Sequence, residues 1–238
     1  MKLFVTFASV LVLVTFASEA RSQELHGGVG VKLGTLGIGF DGAVPVSDRV
    51  NVRGGVNFFN FNHDFDNDGI TLAAQLKMRS VHAQVDFFPS NGSFHVSPGL
   101  MLYNGNRVEA TAFVPPGTTF DLGGEQLLSS PSSPVSGRAT VGFKKVAPSI
   151  TVGWGNIVPR GNRRWSIPVE IGAVFSSAPT AAYTLAGSAC LANGTNCRNI
   201  ASDPRLQADV LQQQADLNSD LSMLKIIPVI SFGFGYGF

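Results

Sequence analysis

The chain closes with Ile226-Ile227-Pro228-Val229-Ile230-Ser231-Phe232-Gly233-Phe234-Gly235-Tyr236-Gly237-Phe238, and the alternation in this stretch decides the fold. Read as a strand, it puts Ile226, Pro228, Ile230, Phe232, Phe234, Tyr236 and Phe238 on one face, and Ile227, Val229, Ser231, Gly233, Gly235 and Gly237 on the other. One face is large and apolar; the other is mostly small. A barrel standing in lipid needs that arrangement, because its outer surface meets hydrocarbon while its narrow interior holds side chains of mixed polarity. The aromatic residues gather toward the terminus, as an interfacial girdle does. A soluble barrel with its apolar face turned inward would alternate in the same way, so the remaining chain must separate the two.

Outward from that stretch, period-two alternation recurs in block after block, punctuated by Gly, Asn, Asp and Pro. Val50, Val52, Val56 and Phe58 alternate with Arg49, Asn51, Arg53 and Asn57. Leu72, Ala74, Leu76 and Met78 oppose Gln75, Lys77 and Arg79; then the apolar parity shifts to Val81, Ala83, Val85 and Phe87, with His82, Gln84 and Asp86 opposite. That shift predicts a bulge near Arg79-Ser80 within one long strand. Phe94, Val96, Pro98, Leu100 and Leu102 oppose His95, Ser97 and Tyr103, while Trp165, Ile167, Val169, Ile171, Ala173 and Phe175 oppose Ser166, Pro168, Glu170 and Ser176. The blocks exceed the five or six residues usual for a soluble sandwich and suit a tilted membrane strand of about 9 to 11 residues.

The fold expected is all-β, an eight-stranded antiparallel transmembrane β-barrel, with strands over 26–34, 36–45, 49–62, 70–88, 93–113, 137–155, 163–178 and 224–238. A tight turn at Gly34-Thr35-Leu36-Gly37 separates the first two; one bent strand over 28–44 would give seven and leave an edge to explain. Connections 45–48, 89–92 and 156–162 are short and predicted periplasmic; 63–69, 114–136 and 179–223 are longer and predicted extracellular. The last carries one short helix, capped by Asp203 with Pro204 following, and Leu206, Val210, Leu217, Leu221 and Leu224 form its apolar stripe. It reads either as packing over the barrel mouth or as a lid or partner-binding element.

Residues 1–20 read as a signal peptide: Lys2 supplies the positive end, an apolar run reaches Phe16, and Ser18-Glu19-Ala20 offers a cleavage site. The barrel domain then covers 21–238. An uncleaved anchor is the rival, but the apolar core is short for a membrane span. Lys and Arg number 17 against 16 Asp and Glu, so no net field points to nucleic acid or an acidic partner. Cys190 and Cys197 read as a local disulfide in an exported chain; a metal or redox pair lacks neighbouring ligands and spacing. The expected location is the bacterial outer membrane after export to the periplasm. The expected partners are outer-membrane lipid and the barrel-assembly machinery, which would engage the C-terminal strand ending in Phe238.

With the blocks placed, Gly34-Thr35-Leu36-Gly37-Ile38-Gly39, followed by Val46-Ser47-Asp48-Arg49-Val50-Asn51-Val52-Arg53-Gly54-Gly55-Val56-Asn57, resembles the opening hairpins of the ornithine-uptake porin family of small outer-membrane barrels. Ser97-Pro98-Gly99-Leu100 with Tyr103-Asn104, Lys145-Val146-Ala147-Pro148 with Gly153-Trp154-Gly155, and Glu170-Ile171-Gly172-Ala173-Val174-Phe175 before Pro179 follow in that family's order. Ser149 stands where family members commonly carry an aromatic residue. The resemblance covers most of the chain after the signal, rests on barrel-building motifs, and transfers no binding residue. It implies an eight-stranded barrel and passage of small polar solutes such as basic amino acids.

By strand parity the lumen receives Lys32, Asp41, Arg53, Lys77, Arg79, Asp86, Glu109, Lys144 and Glu170. Opposed charges in a narrow barrel form a satisfied interior network or line a polar path in which Asp41, Asp86 and Glu170 attract cations. The chain therefore reads as a narrow channel for small polar solutes, with a structural or surface-interaction barrel as the alternative. No enzyme, cofactor or metal site is expected: His63, His82 and His95 belong to no catalytic motif. Asp64-Phe65-Asp66-Asn67-Asp68-Gly69 lacks the distal glutamate of a calcium loop and reads as a solvated turn.

Overall fold

The computed structural model describes residues 27–67, 69–90, 92–159 and 164–238. The expected signal segment and the tip of the 156–162 turn fall outside them. In chain order the elements are β1 (Gly28–Gly34), β2 (Gly37–Ser47), β3 (Val50–Asn67), β4 (Ile70–Phe87), β5 (Phe94–Asn104), β6 (Arg107–Val114), β7 (Thr119–Leu122) and β8 (Glu125–Ser129). Then follow β9 (Val135–Gly142), β10 (Ala147–Trp154), β11 (Trp165–Ser166), β12 (Val169–Phe175), β13 (Thr180–Ala186), β14 (Ser188–Leu191), β15 (Arg198–Asn199), α1 (Pro204–Leu221) and β16 (Ile226–Gly237). No helix among the described residues is long and apolar enough to cross a membrane.

Antiparallel pairing runs β1-β2-β3-β4-β5-β10-β12-β16 and returns to β1, closing an eight-stranded ring. The turn at Thr35-Leu36 divides β1 from β2, so the seven-strand alternative does not apply. The chain ends meet: the Phe238 N–H donates to the Gly27 carbonyl at 2.9 Å. Away from that end, β3 and β4 outrun the ring and continue the sheet through β6, β9 and β13. β5 leads into β6 and β9 into β10, so each pair serves as one long stave.

Within the ring the faces are those of a lipid-facing barrel. Val31, Phe40, Val52, Val56, Val85, Ile150, Ile171 and Phe232 are exposed on the outside, whereas Asp41, Arg53, Asp86, His95 and Glu170 are buried inside. Hydrocarbon outside hides the first set and ion pairing compensates the second.

Beyond the ring this polarity reverses. The inward parity of β3 passes from Asn51, Arg53 and Asn57 to Phe59, Phe61 and Phe65, while the outward parity passes from Val56 and Phe58 to Asn60, Asn62 and Asp64. The partner strand matches it: Ser80, His82 and Asp86 give way inward to Met78, Leu76 and Leu72, and Val81 gives way outward to Arg79 and Lys77. β3 and β4 pair without a register shift through this level, so the parity change is a change of solvent and no bulge sits at Arg79-Ser80. The register shift lies instead between β4 and β5, where Val81 faces Tyr103, His82 faces Met101, and Leu102 is the extra residue. Tyr103 consequently faces outward.

On β6, β9 and β13 the apolar inner face of the extension is covered by α1 and by a small second sheet ordered β15-β14-β8-β7, whereas Phe59, Phe61 and Phe65 on β3 stay exposed. Val114, Leu122, Leu127, Val135, Ala189, Ile200 and Val210 form their common core. Asp203 caps α1 by accepting from the Arg205 and Leu206 N–H groups, and Pro204 fits the first turn, where its missing N–H costs nothing. Gln214 and Asn218 serve as a substitute strand: their side-chain oxygens accept from the Tyr183 and Ala181 N–H groups at 3.0 and 2.8 Å, closing the edge of β13. The helix is thus a packing element. Leu224, assigned to its stripe from sequence, lies past its end and is exposed. The Cys190–Cys197 disulfide is formed and ties the end of β14 to the start of β15.

Candidate functional site

The interior is built in layers from the closed rim outward. At the rim, residues 155–159 turn inward: Gly155 has φ +107°, and Ile157 and Val158 pack on Ala43 as a buried floor. Asn156 holds this turn by accepting from the Asn51 amide at 2.8 Å and the Val158 N–H at 2.9 Å. Glycines make the space. A Cβ at Gly28 would meet the Ile157 backbone, and one at Gly237 would meet the Pro159 ring.

Above the floor lies a charged layer centred on Arg53, which is almost fully buried. Its guanidinium pairs with Glu170 at 2.5 Å, Asp86 at 2.9 Å and Asp41 at 3.4 Å. Lys32 lies 2.8 Å from Asp41, His82 lies 3.1 Å from Asp41, and His95 lies 3.2 Å from Glu170. Ser97 donates to Asp86 at 2.6 Å. Three carboxylates thus surround two permanent cations, with one histidine beside Asp41 and another beside Glu170. The long side chains lie over glycines of neighbouring strands: a Cβ at Gly233 would meet Lys32, and one at Gly153 would meet Glu170 and His95.

The outermost layer of the ring is apolar, with Met101, Ala147 and Val174 buried against Leu36, Ile227 and Val229. A small void of about 30 Å³ lies between it and the charged layer, and another of about 10 Å³, room for a single water, lies between the charged layer and the floor. Lys32, Glu170 and Ser231 line both voids. The two spaces are therefore separated by side chains, with no strand between them.

Lys32, Asp41, Arg53, Asp86 and Glu170 are brought together in this cluster; Lys77, Arg79, Glu109 and Lys144 are elsewhere. Lys77 pairs with Glu109 at 2.9 Å, on the outward face of the extension. Arg79 faces outward at the level where the polarity reverses, and Lys144 is exposed between β9 and β10. Parity placed these four inside only on the assumption that polar means inward along the whole strand. His82 and His95 join the cluster although no catalytic or ligand motif singled them out; their shared parity with Asp86 and Ser97 was the available signal. Ile157 carried no signal, because a turn residue has no face. Asp64 and Asp66 stand on β3 instead of in a solvated turn, and Asp66 accepts from Thr71 at 3.0 Å. Among the described residues no group of three or more His, Cys, Asp or Glu is arranged to hold a metal ion.

An apolar exterior, an ion-paired interior and a closed ring define the class of protein: a β-barrel built to stand in a lipid bilayer. Among solved structures the chain is similar to CarO of Acinetobacter baumannii, with TM-score 0.54 and 19% identity over 89% of this chain and 97% of that one. It is likewise similar to CarO2 of Acinetobacter baumannii, with TM-score 0.56 and 18% identity over 91% of this chain and 100% of that one. These likenesses are likenesses of fold, and the fold is the one that the porin resemblance in the barrel-building motifs implied. No family model and no curated protein sequence matches the chain.

Proposed function

We propose that the chain is exported by its residues 1–20, inserted in the bacterial outer membrane as the domain 21–238, and there acts as a narrow, low-flux channel for small polar solutes. The observation that carries this reading is the pair of voids that meet at Lys32, Glu170 and Ser231. A displacement of side chains, without rearrangement of strands, joins them. The excess of carboxylates over permanent cations in that layer favours cationic solutes, basic amino acids among them. The strand ending in Phe238 is the segment that the barrel-assembly machinery would engage.

Conductance in planar bilayers tests the proposal. Brief, small unitary events that increase when Arg53 is shortened support it; a correctly folded barrel that remains silent in both forms sinks it. The filled lumen and the separately cored outer layer favour a second reading, a surface-interaction barrel without transport, and silence would leave that reading standing.

A further inference from the structure

The ring has a notch in its wall near the closed rim. β10 pairs with β12 as far as Trp154 opposite Val169; Gly155 then turns inward and donates its N–H to the Ser93 carbonyl. β11 continues toward the rim with β16 as its one strand partner among the described residues, Trp165 opposite Tyr236 and Ser166 opposite Gly235. Among the described residues no strand pairs with the side of β11 where β10 would have run. The resulting notch holds about 940 Å³ and opens to the outside. Trp154, Trp165, Ile167 and Phe234 supply its apolar lining, and Ser93, Asn156 and Ser166 its polar lining.

A charge stands at its edge. Arg164 precedes Trp165, is exposed, and donates to the Tyr236 hydroxyl at 3.3 Å; it has no acidic partner among the described residues. The Trp165 and Tyr236 rings are 4.9 Å apart and face the membrane side of the rim. Aromatic rings, an unpaired guanidinium and a groove leading from water toward hydrocarbon are the groups that recognise an anionic headgroup with its acyl chain.

We propose that this notch binds an anionic glycerophospholipid, its phosphate on Arg164 and an acyl chain against Trp154, Ile167 and Phe234. The proposal rests on the reading of the chain as a membrane barrel. A lipid seated there would cover that side of β11 and seal the wall where strand pairing is interrupted. It makes the lipid a fixed component of the rim, distinct from the exchanging annulus.

The test uses the protein's own fluorescence, because Trp154 and Trp165 are the chain's two tryptophans. The folded full chain is placed in phosphatidylcholine vesicles containing a minor fraction of brominated phosphatidylglycerol or, in parallel, of brominated phosphatidylcholine. Preferential quenching by the anionic lipid is expected, with a relative affinity of about fivefold, as one arginine at an anionic surface gives. Arg164→Gln should bring the ratio close to one while heat-modifiability of the barrel is retained. Equal quenching by both lipids in the unaltered chain would overturn the site and leave the membrane reading intact. Quenching by neither would overturn both.

Discussion

Arg53 on β3 and Glu170 on β12 meet at 2.5 Å although their strands occupy opposite positions in the eight-stranded ring. One side chain therefore spans the lumen and ties its two walls together. An ion pair in that position holds only because the surrounding groups satisfy the remaining charge, with Asp86 and Asp41 on the same guanidinium.

Replacing Arg53 with methionine should leave Asp41, Asp86 and Glu170 in mutual repulsion, at a cost of about 3–5 kcal/mol, the range for breaking a buried pair from one side. Urea unfolding of the barrel in vesicles, followed by loss of heat-modifiability, measures this. Unchanged unfolding would show that the cluster contributes nothing to stability.

The floor offers a separate handle. Ile157 is 5% exposed and packs on Ala43 and Val158. Ile157→Ala removes side-chain volume from the floor and should destabilise by about 2–5 kcal/mol if the turn stays in place. Adding Arg53→Lys should raise conductance more than the sum of the two single changes, because the two closures lie in series and the one left in place still limits the flux that the other change admits. Additive conductances would show that the two layers close independently of one another.

In the outer layer, Asn218→Ala takes the acceptor from the Ala181 N–H and should cost about 1–3 kcal/mol locally. Hydrogen exchange at Ala181 and Tyr183 should accelerate while the ring amides of β1 and β16 stay protected. Equal acceleration in both places would mean that the helix stabilises the whole barrel.

Cys190→Ser with Cys197→Ser removes a closed loop of seven-residue separation and should cost about 2–3 kcal/mol on the chain-entropy account. The effect should stay above the membrane: proteolysis within 187–200 should increase while the barrel remains heat-modifiable.

Asp203 gives the outer layer a pH dependence. Desolvation raises its pKa, but the backbone N–H groups of Leu206 and Arg205 and the nearby Arg198 guanidinium outweigh it and hold the carboxyl below its ordinary value. The folded value lies under the unfolded one, so the stabilisation is complete above the ordinary Asp range and is lost as pH falls through the folded value. Protection of the first-turn amides of α1, taken relative to their intrinsic exchange rates, should fall at acid pH and show no such change in Asp203→Ala, whose helix start frays at every pH.

The eight staves were legible because β-strand parity survives any environment: Val50-Asn51-Val52-Arg53 and the terminal alternation mark strands whatever surrounds them. The helix was legible from Asp203-Pro204 together with the apolar spacing of Leu206, Val210, Leu217 and Leu221. What parity does not state is which solvent each face meets. Arg53 and Lys77 are polar residues on alternating strands, yet one crosses the lumen and the other stands outside, because the polarity reverses between Phe58 and Phe59 on β3 and at Arg79 on β4. Had the run Phe59, Phe61, Phe65 been read as the inward set, Lys77, Arg79 and Glu109 would have been placed outward with it. The inward turn of Ile157 is a different case, since it follows from the space above Gly28 and Gly30 and can be recognised only once the strands are side by side.

The reversal at Phe58 and Phe59 also acts as a spring along the membrane normal. A two-residue slide of the strands is about 7 Å along their length. Sinking by that step would carry Arg79, Lys77 and Arg107 toward hydrocarbon, where a basic side chain on the lipid face costs up to about 2–4 kcal/mol at the midplane and less near the interface. Rising by it would expose Phe58, Val81 and Tyr103 to water. Displacement either way raises the free energy, so the depth at which the barrel floats is written in the strands themselves, and the long outer staves are held at a fixed height above the bilayer.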